Sequence, residues 1–243
     1  MIRKIYIITG LALMFFATIS CSPKLIKENP YGLDIVSTIS DYRQQIMKNK
    51  DYALVDLKKY IPGLILDIRY ATNNNFTKRK LYNIAKAYAR KPVADSLKKI
   101  QNELSKEGLG LKIYDAYRPY EVTLKFYRIY RDTNFVAAPW KGSSHNTGCA
   151  VDLTLIDLKT GKEVEMPTGF DDFSEKASHQ YMDLPDNVIY NRNLLKNIMI
   201  KYGFVPYSME WWHYRYGKSG DFSLLDLSFE ELDKSGIANK KID

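Results

Sequence analysis

The alternation of apolar and polar positions predicts short strands near the start of a folded region. Residues 52–57 form a strand-like run, and residues 65–70 follow with partial alternation. Three consecutive asparagines at 73–75 then mark a loop. A first helical segment is predicted earlier in the chain, near residues 35–47.

The middle and the end of the chain alternate between helical and strand patterns. A helix is predicted from Pro92, because proline suits a first helical turn; apolar residues recur at helical spacing up to Leu104, and Gly108 ends the run. Further helices are predicted over 121–131 and 191–201, and strands over 109–115, 151–158 and 204–213. This mixture is typical of an α+β domain in which helices pack on a central antiparallel sheet.

The N-terminus decides the expected compartment. A basic start is followed by an apolar run over residues 5–19, which has the length and flanks of a signal-peptide core. The residues Thr18-Ile19-Ser20-Cys21 resemble a bacterial lipoprotein cleavage box. That resemblance implies a signal peptide over 1–20, cleaved before Cys21, with diacylglycerol added to the Cys21 sulfur. A tether with the first helical segment is then expected over 21–50, and a folded domain over 51–243. An ordinary secretory signal or an uncleaved anchor helix remains the alternative.

The amino-acid composition restricts the binding partners that this protein can have. The formal charge is +8, yet the lysines are scattered among acids and amides, and the longest basic run is Lys78-Arg79-Lys80. Solvated surface charge explains this pattern better than nucleic-acid binding does. The chain has two cysteines, Cys21 and Cys149, so lipid on Cys21 would leave Cys149 unpaired and the fold without a disulfide.

Candidate metal chemistry is concentrated in two segments. The chain has three histidines; His145 lies in residues 143–152 with Asp152, and His213 ends the sequence Glu210-Trp211-Trp212-His213. Catalytic zinc commonly takes three protein ligands and keeps one position for water. His145, Asp152 and His213 supply such a set, and Glu210 remains as a base. Spacing alone leaves it equally open that these are ordinary core or surface residues.

The spacing of Glu210 and His213 carries a geometric requirement. Residues i and i+3 share one face of a helix but point to opposite sides of a strand. For both side chains to reach one metal, the chain must bend between them or bring the metal to the end of a strand.

Both segments together resemble the D-alanyl-D-alanine dipeptidase family, the VanX-like zinc peptidases. The pattern Ser-x-His-x-x-Gly-x-Ala-x-Asp starts at Ser143, and Glu-Trp-Trp-His starts at Glu210. Residues 67–72, 74–77, 115–119 and 166–171 also resemble family segments, in the family's order. The resemblance covers roughly residues 52–214. It implies a fold shared with D,D-carboxypeptidases and the hedgehog domain, and hydrolysis of D-alanyl-D-alanine in cell-wall metabolism.

The resemblance also implies a role for each residue at a matching position. It makes His145, Asp152 and His213 the ligands of one Zn²⁺, Glu210 the catalytic base, and Arg118 the group that stabilises the transition state. It places Ser143, Asp171 and Tyr70 in the dipeptide pocket, with Asp171 receiving the substrate ammonium. Asp115 is expected to orient Arg118 or the sheet beneath it. His179 is expected to support the site without binding the metal, or to be structural, rather than to be a fourth ligand. The alternative for Arg118 is a structural arginine after a buried strand.

The sequence departs from the family pattern in two places, and two rival functions remain. The family usually has Gly-Lys where this chain has Lys78-Arg79-Lys80, and Cys149 lies inside the metal motif, where packing is favoured over metal binding. The rival functions are a D,D-carboxypeptidase or endopeptidase that trims peptidoglycan stems, and a non-catalytic hedgehog-like binding domain. The expected location is the bacterial periplasm, on a membrane through the lipid anchor.

Overall fold

The structure is a computed structural model that describes residues 27–237. The predicted signal peptide over 1–20 and the predicted lipid attachment at Cys21 lie outside the described residues. Within residues 27–237, none of the helices has both the length and the apolar character needed to cross a bilayer.

Short strands and six helices make up residues 27–237. The strands are β1 (Ile35–Val36), β2 (Leu54–Asp56), β3 (Ile65–Leu66), β4 (Tyr88–Arg90), β5 (Leu109–Asp115), β6 (Ala150–Asp157), β7 (Phe204–Pro206), β8 (His213–Tyr216) and β9 (Leu224–Leu225). The helices are α1 (Ile39–Lys48), α2 (Leu57–Tyr60), α3 (Lys91–Leu104), α4 (Tyr120–Ile129), α5 (Asp186–Lys201) and α6 (Phe229–Ser235).

The central sheet has five strands in the order β3-β5-β6-β8-β7. All neighbours are antiparallel except β3 and β5, which run parallel at one edge. The predicted α+β fold with helices on a central sheet is confirmed, and this parallel edge pair is its one departure from an antiparallel arrangement. Two further pairs, β1 with β9 and β2 with β4, lie outside the central sheet.

Helix α3 forms for the reasons that its sequence gives. Pro92 occupies its first turn, its apolar positions are buried, and Gly108 adopts a left-handed φ of 72° just beyond it. The buried face contacts β5, whose residues 109–115 form the predicted strand in full. Burial of one apolar helix face against a sheet is the main stabilising contribution at this interface.

Several predicted elements were wrong at their boundaries; the helix predicted over 191–201, for example, begins at Asp186. The helix expected over 35–47 begins at Ile39, because Ile35 and Val36 pair with Leu224 and Leu225. Thr38 then caps the helix by accepting a hydrogen bond from the Asp41 N–H at 3.1 Å. The strand expected over 65–70 ends at Leu66, and a 3₁₀ turn follows over Arg69–Ala71.

The register of the three central strands determines the position of the site. Asp152 on β6 lies opposite Asp115 on β5 and opposite His213 on β8. A shift in register between Ile113 and Asp115 interrupts the ladder at this point. Three polar side chains therefore lie side by side across the strands, at one end of the sheet.

Candidate metal centre and active site

Three side chains predicted as metal ligands converge on one point. His145 Nε2 lies 3.2 Å from His213 Nδ1 and 3.4 Å from Asp152 Oδ2, and His213 Nδ1 lies 3.0 Å from Asp152 Oδ1. Two ligands bound tetrahedrally at about 2.1 Å from one zinc ion are about 3.4 Å apart. The three donors therefore have the separations that a single ion of this kind requires.

A hydrogen bond from the ring nitrogen that faces away from the candidate metal position fixes the orientation of His145. Its Nδ1 lies 2.6 Å from the carbonyl oxygen of Ala116, to which it can donate, and this leaves Nε2 for a metal. Asn146 holds the same loop: its side-chain amide donates to the Arg118 carbonyl and to the Thr123 hydroxyl, both at 2.9 Å. Hydrogen bonds from within the protein thus orient the imidazole.

The loop that carries His145 is also held by chain segments distant in sequence. Gly148 has a left-handed φ of 77°, and a Cβ there would lie 2.7 Å from Leu54 Cδ2 and 3.3 Å from Arg90 Cγ. The Leu225 N–H donates to the Asn146 carbonyl at 2.9 Å. Glycine is required at 148 by both conformation and space.

Arg90 joins three of these segments. It is fully buried and donates from Nε to the Thr147 carbonyl at 2.6 Å, from Nη1 to the Tyr52 carbonyl, and from Nη2 to the Ser223 carbonyl at 3.1 Å. No carboxylate forms an ion pair with it among residues 27–237. Burial lowers the pKa of Arg90, while its three carbonyl acceptors compensate for lost water.

Glu210 reaches the site because the chain bends. Strand β7 ends at Pro206 and β8 begins at His213, so the strand predicted over 204–213 is interrupted, as the spacing of Glu210 and His213 required. The Glu210 N–H donates to the Tyr207 carbonyl at 3.3 Å within the turn. Burial, followed by the charges of Asp152 and Asp171, raises the pKa of Glu210 well above its usual value.

Arg118 is held by a carboxylate and aromatic rings. Its Nε and Nη2 lie 2.9 Å and 2.8 Å from Asp115 Oδ2, and its guanidinium lies 4.5 Å from the ring centre of Phe126. Burial alone would lower the pKa of Arg118, but Asp115 and its other neighbours hold that pKa above its ordinary value. Nη1 has no partner among the described residues and can donate into the pocket.

Asp171 lies on the opposite wall. Its φ of 63° is left-handed, and its carboxylate accepts from the Tyr70 hydroxyl at 2.9 Å and from the Phe76 N–H at 3.2 Å. Burial raises the pKa of Asp171 to about 7, against the lowering effect of those two hydrogen bonds. Tyr70 is itself buried, which keeps its phenol neutral and a donor.

The site opens into a cavity of about 250 Å³. Ser143 lies on its wall with Tyr70, Arg118, Asp171, Glu210 and the three candidate ligands. Beside Asp171 the wall is aromatic: the Phe173 ring centre lies 5.3 Å from that of Phe76 and 4.8 Å from that of Phe135. This volume is below the roughly 300–1,000 Å³ of pockets for drug-sized ligands, so a small ligand is indicated.

Charge in the pocket is unbalanced. Three carboxyl groups line it, from Asp152, Asp171 and Glu210, and Arg118, which pairs with the buried Asp115, is the guanidinium among them. His145 and His213 keep the pKa of Asp152 below its usual range although burial opposes this. A buried excess of carboxylates is stable only with protons or bound cations.

His179 lies outside this site. Both of its ring nitrogens are buried without a hydrogen-bond partner among the described residues, and its ring contacts Tyr214 at 6.0 Å between centres. Tyr214 follows His213 in β8 and therefore faces the other side of the sheet. His179 is therefore not among the three convergent ligands, and its ring packs on the side of the sheet opposite His213. Its backbone N–H donates to the Ser208 carbonyl at 2.9 Å, in the turn that leads to Glu210.

The structure also shows where Cys149 and residues 78–80 lie relative to the site. The Cys149 thiol is buried, lies outside the ligand cluster, and has its pKa raised to about 11 by burial. Packing is therefore its role, as expected. The Lys78-Arg79-Lys80 segment does not line the cavity, whereas Phe76 does.

Sequence reasoning missed the residues that support the site. Arg90 and Asn146 fix the His145 loop, and Phe76 and Phe173 form the wall beside Asp171. Asn146 and Phe76 lie inside the segments that were singled out, so proximity to a motif could have indicated them. Arg90 follows an ordinary strand pattern and carried no such signal.

The chain is similar to known proteins over most of its length. Residues 50–234 match the peptidase M15 family, described as D-ala-D-ala dipeptidase. The D-alanyl-D-alanine dipeptidase of Escherichia coli (strain K12) is 35% identical over 176 residues, which cover 72% of this chain and 91% of that protein. The D-alanyl-D-alanine dipeptidase of Enterococcus faecium is 33% identical over 178 residues, which cover 65% of this chain and 88% of that protein. The solved structure of the vancomycin resistance D,D-dipeptidase VanXYg, in complex with a D-Ala-D-Ala phosphinate analog, is 20% identical, covers 74% of this chain and 75% of that chain, and has a TM-score of 0.34.

Proposed function

Because the chain belongs to the peptidase M15 family of D-ala-D-ala dipeptidases, we propose that it hydrolyses the dipeptide D-alanyl-D-alanine in cell-wall metabolism, with one zinc ion held by His145, Asp152 and His213. The observation that carries the proposal is the pocket's excess of carboxylates around three convergent ligand atoms. A dication and the ammonium group of a dipeptide would balance that charge. No binding protein without turnover needs a buried, unpaired carboxyl beside the ligands.

The donor set fits zinc better than magnesium or calcium. Two imidazole nitrogens and one carboxylate oxygen are typical of catalytic zinc, whereas the hard cations prefer oxygen ligands alone. Two nitrogens and one oxygen leave a fourth tetrahedral position open. A zinc ion there would polarise the substrate carbonyl and lower the pKa of a water molecule.

The protein's own residues supply the remaining chemistry. Glu210 takes a proton from the attacking water and transfers it to the leaving amine, and its raised pKa suits both steps. Arg118 donates to the oxyanion through the nitrogen that Asp115 leaves free. Asp171 accepts the substrate ammonium, and Ser143 and Tyr70 line the space between.

The direct test compares two substrates. We expect the purified protein to release D-alanine from D-alanyl-D-alanine at least about tenfold faster than from a stem pentapeptide. The reason for this expectation is the phenylalanine wall beside Asp171, which would restrict a longer chain beyond the ammonium position. Faster release from the pentapeptide would establish the rival carboxypeptidase instead, and release from neither would establish a binding protein.

The effect of Arg118 should fall on the transition state. We expect Arg118→Ala to lower kcat by about 10²–10³-fold with little change in KM and full zinc content, because one oxyanion donor is lost. Arg118→Lys should recover only part of the rate, since a lysine cannot reach Asp115 through two nitrogens. A raised KM with unchanged kcat would show that Arg118 binds the substrate in its ground state.

The effect of Asp171 should fall on binding. We expect Asp171→Asn to raise KM by more than about tenfold, because a charge-assisted hydrogen bond to the ammonium is lost. In the wild type, ionisation of Asp171 should give the pH profile of kcat/KM a limb at or below about pH 7, because a bound cation can only lower the pKa of this carboxyl. The Asp171→Asn variant should lack that limb. Asp172→Asn, which changes the next and exposed carboxylate, should leave both unchanged and is the matched control.

A second readout for Asp171 needs no substrate. Its folded pKa is raised, so its contribution to stability is present below the unfolded pKa of about 4 and is lost as pH rises to about 7. The metal-free wild type should therefore lose stability across that range relative to Asp171→Asn, as measured by urea unfolding. Parallel pH dependences of the two proteins would contradict the raised pKa.

The proposed location is the periplasm, on a membrane through lipid at Cys21. The cleavage-box resemblance at residues 18–21 supports it. We expect Cys21→Ser to release the protein from the membrane fraction or to stall its processing. A Cys21→Ser protein that is still processed and membrane-bound would contradict lipid attachment.

A further inference from the structure

An aromatic surface patch lies where the described chain begins. Trp140 is 44% exposed, its ring centre lies 6.1 Å from that of Tyr31 and 5.5 Å from that of Tyr127, and both contacts are edge-on. Ile129, at the end of α4, is exposed as well. Large exposed aromatic rings held by one another are unusual on a soluble surface and typical of an interface.

Cations surround these rings. Arg131 lies 5.9 Å from the ring centre of Tyr127, and Lys141 follows Trp140 and is exposed. Neither forms an ion pair within residues 27–237, whereas Arg128, also exposed, is paired with Glu28. We call Tyr31, Ile129, Arg131, Trp140 and Lys141 the aromatic-basic face. Tryptophan and tyrosine with flanking lysine and arginine suit the headgroup region of a bilayer.

The start of the described chain is attached beside this face. Lys27 lies 2.8 Å from Glu231, Glu28 pairs with Arg128, and Tyr31 contacts Trp140. Cys21 precedes Lys27 by six residues, which even a fully extended chain spans in only about 20 Å. Lipid at Cys21 would therefore keep the aromatic-basic face close to the membrane surface.

The face and the pocket share one segment of chain. Residues 133–137 and Gly142 line the cavity, and residues 129, 131, 140 and 141 of the same segment form the face. We propose that the aromatic-basic face contacts anionic lipid headgroups, which would hold the chain segment shared with the pocket beside the membrane surface. This inference rests on the proposed envelope location and is independent of the reaction.

The aromatic-basic face would set the orientation of an anchored protein rather than its attachment. A diacylglycerol at Cys21 has two acyl chains, which already anchor a protein stably. Two cations without ion pairs among residues 27–237 contribute about fivefold each in affinity for an anionic surface, and a buried tryptophan adds more. These contributions favour the orientation in which the face meets the headgroups.

Tryptophan fluorescence tests the proposal on the full chain. The protein has three tryptophans, and Trp211 and Trp212 are only 1% and 2% exposed, so quenchers in solvent or lipid reach Trp140 alone. On vesicles of phosphatidylglycerol and phosphatidylethanolamine, we expect brominated acyl chains to quench Trp140 and iodide to lose access to it. The Trp140→Phe variant measures the background fluorescence of Trp211 and Trp212. The double variant Trp140→Phe, Tyr190→Trp is the control, because it places a tryptophan at an exposed position of α5 that lies outside the aromatic-basic face.

The outcomes separate clearly. Arg131→Glu with Lys141→Glu should weaken lipid quenching of Trp140 by more than about tenfold at limiting anionic lipid. Equal iodide quenching of Trp140 with and without vesicles would overturn the lipid assignment and leave a protein as the occupant. Failure of the chain to sediment with vesicles would have the same consequence. Hydrolysis of D-alanyl-D-alanine, measured in the same preparations, reports on the proposed function separately.

Discussion

Glu210→Gln is expected to keep a full complement of zinc and to lose about 10²–10⁴-fold in kcat/KM, the usual contribution of general acid–base catalysis. The amide has the shape of the carboxyl but cannot accept the proton of the attacking water. Glu210 belongs to the turn between β7 and β8 and makes no side-chain hydrogen bond within residues 27–237, so its replacement by the isosteric glutamine breaks no hydrogen bond. Metal content, thermal unfolding and steady-state kinetics of the same preparation decide the result.

The loss should be in kcat rather than in KM, because Glu210 acts on the water and the leaving amine, not on the bound dipeptide. Near-wild-type hydrolysis by Glu210→Gln would remove it as the base. Asp171 would then be tested first, since its carboxyl shares the pocket and has a pKa of about 7.

Replacement of a ligand should have the other large effect. We expect His145→Ala, Asp152→Ala and His213→Ala each to lose the zinc ion and more than about 10³-fold in kcat/KM, because the metal supplies several kcal/mol of transition-state stabilisation. Elemental analysis after dialysis measures the first effect, and D-alanine release measures the second.

His179→Gln is the matched control, because His179 is the third histidine of the chain and lies on the other side of the sheet. It should retain zinc at one ion per chain even if its thermal stability changes. Full zinc in His213→Ala would exclude that residue from the site. A metal-free but folded His213→Ala protein would show that the loop around His145 forms without the ion.

The fold was predictable where local pattern and tertiary structure agree. Helix α3 and strands β5 and β6 were predicted because their apolar positions recur at one period over seven or more residues. Strands β1 and β9 have two residues each and exist only through pairing with a distant partner, which no local pattern encodes. The helix predicted at residue 35 failed for that reason.

The site was predictable in its chemistry but not in its support. His145, Asp152, Glu210 and His213 lie in unusual segments, and the requirement for a bend after residue 210 followed from side-chain alternation alone. The family resemblance is confirmed by the match over residues 50–234. The supporting hydrogen bonds join residues far apart in sequence, such as Arg90 with Ser223, and only the folded chain shows them.

Arg90 has a consequence for how the protein is synthesised. Its three carbonyl acceptors come from residues 52, 147 and 223, close to the beginning, the middle and the end of the domain. A nascent chain that has not yet reached residue 223 leaves this buried cation one acceptor short, and it also lacks the Leu225 N–H that binds the Asn146 carbonyl. Closure of the loop that presents His145 is therefore a late event, and catalytic competence arises only after synthesis has passed residue 225.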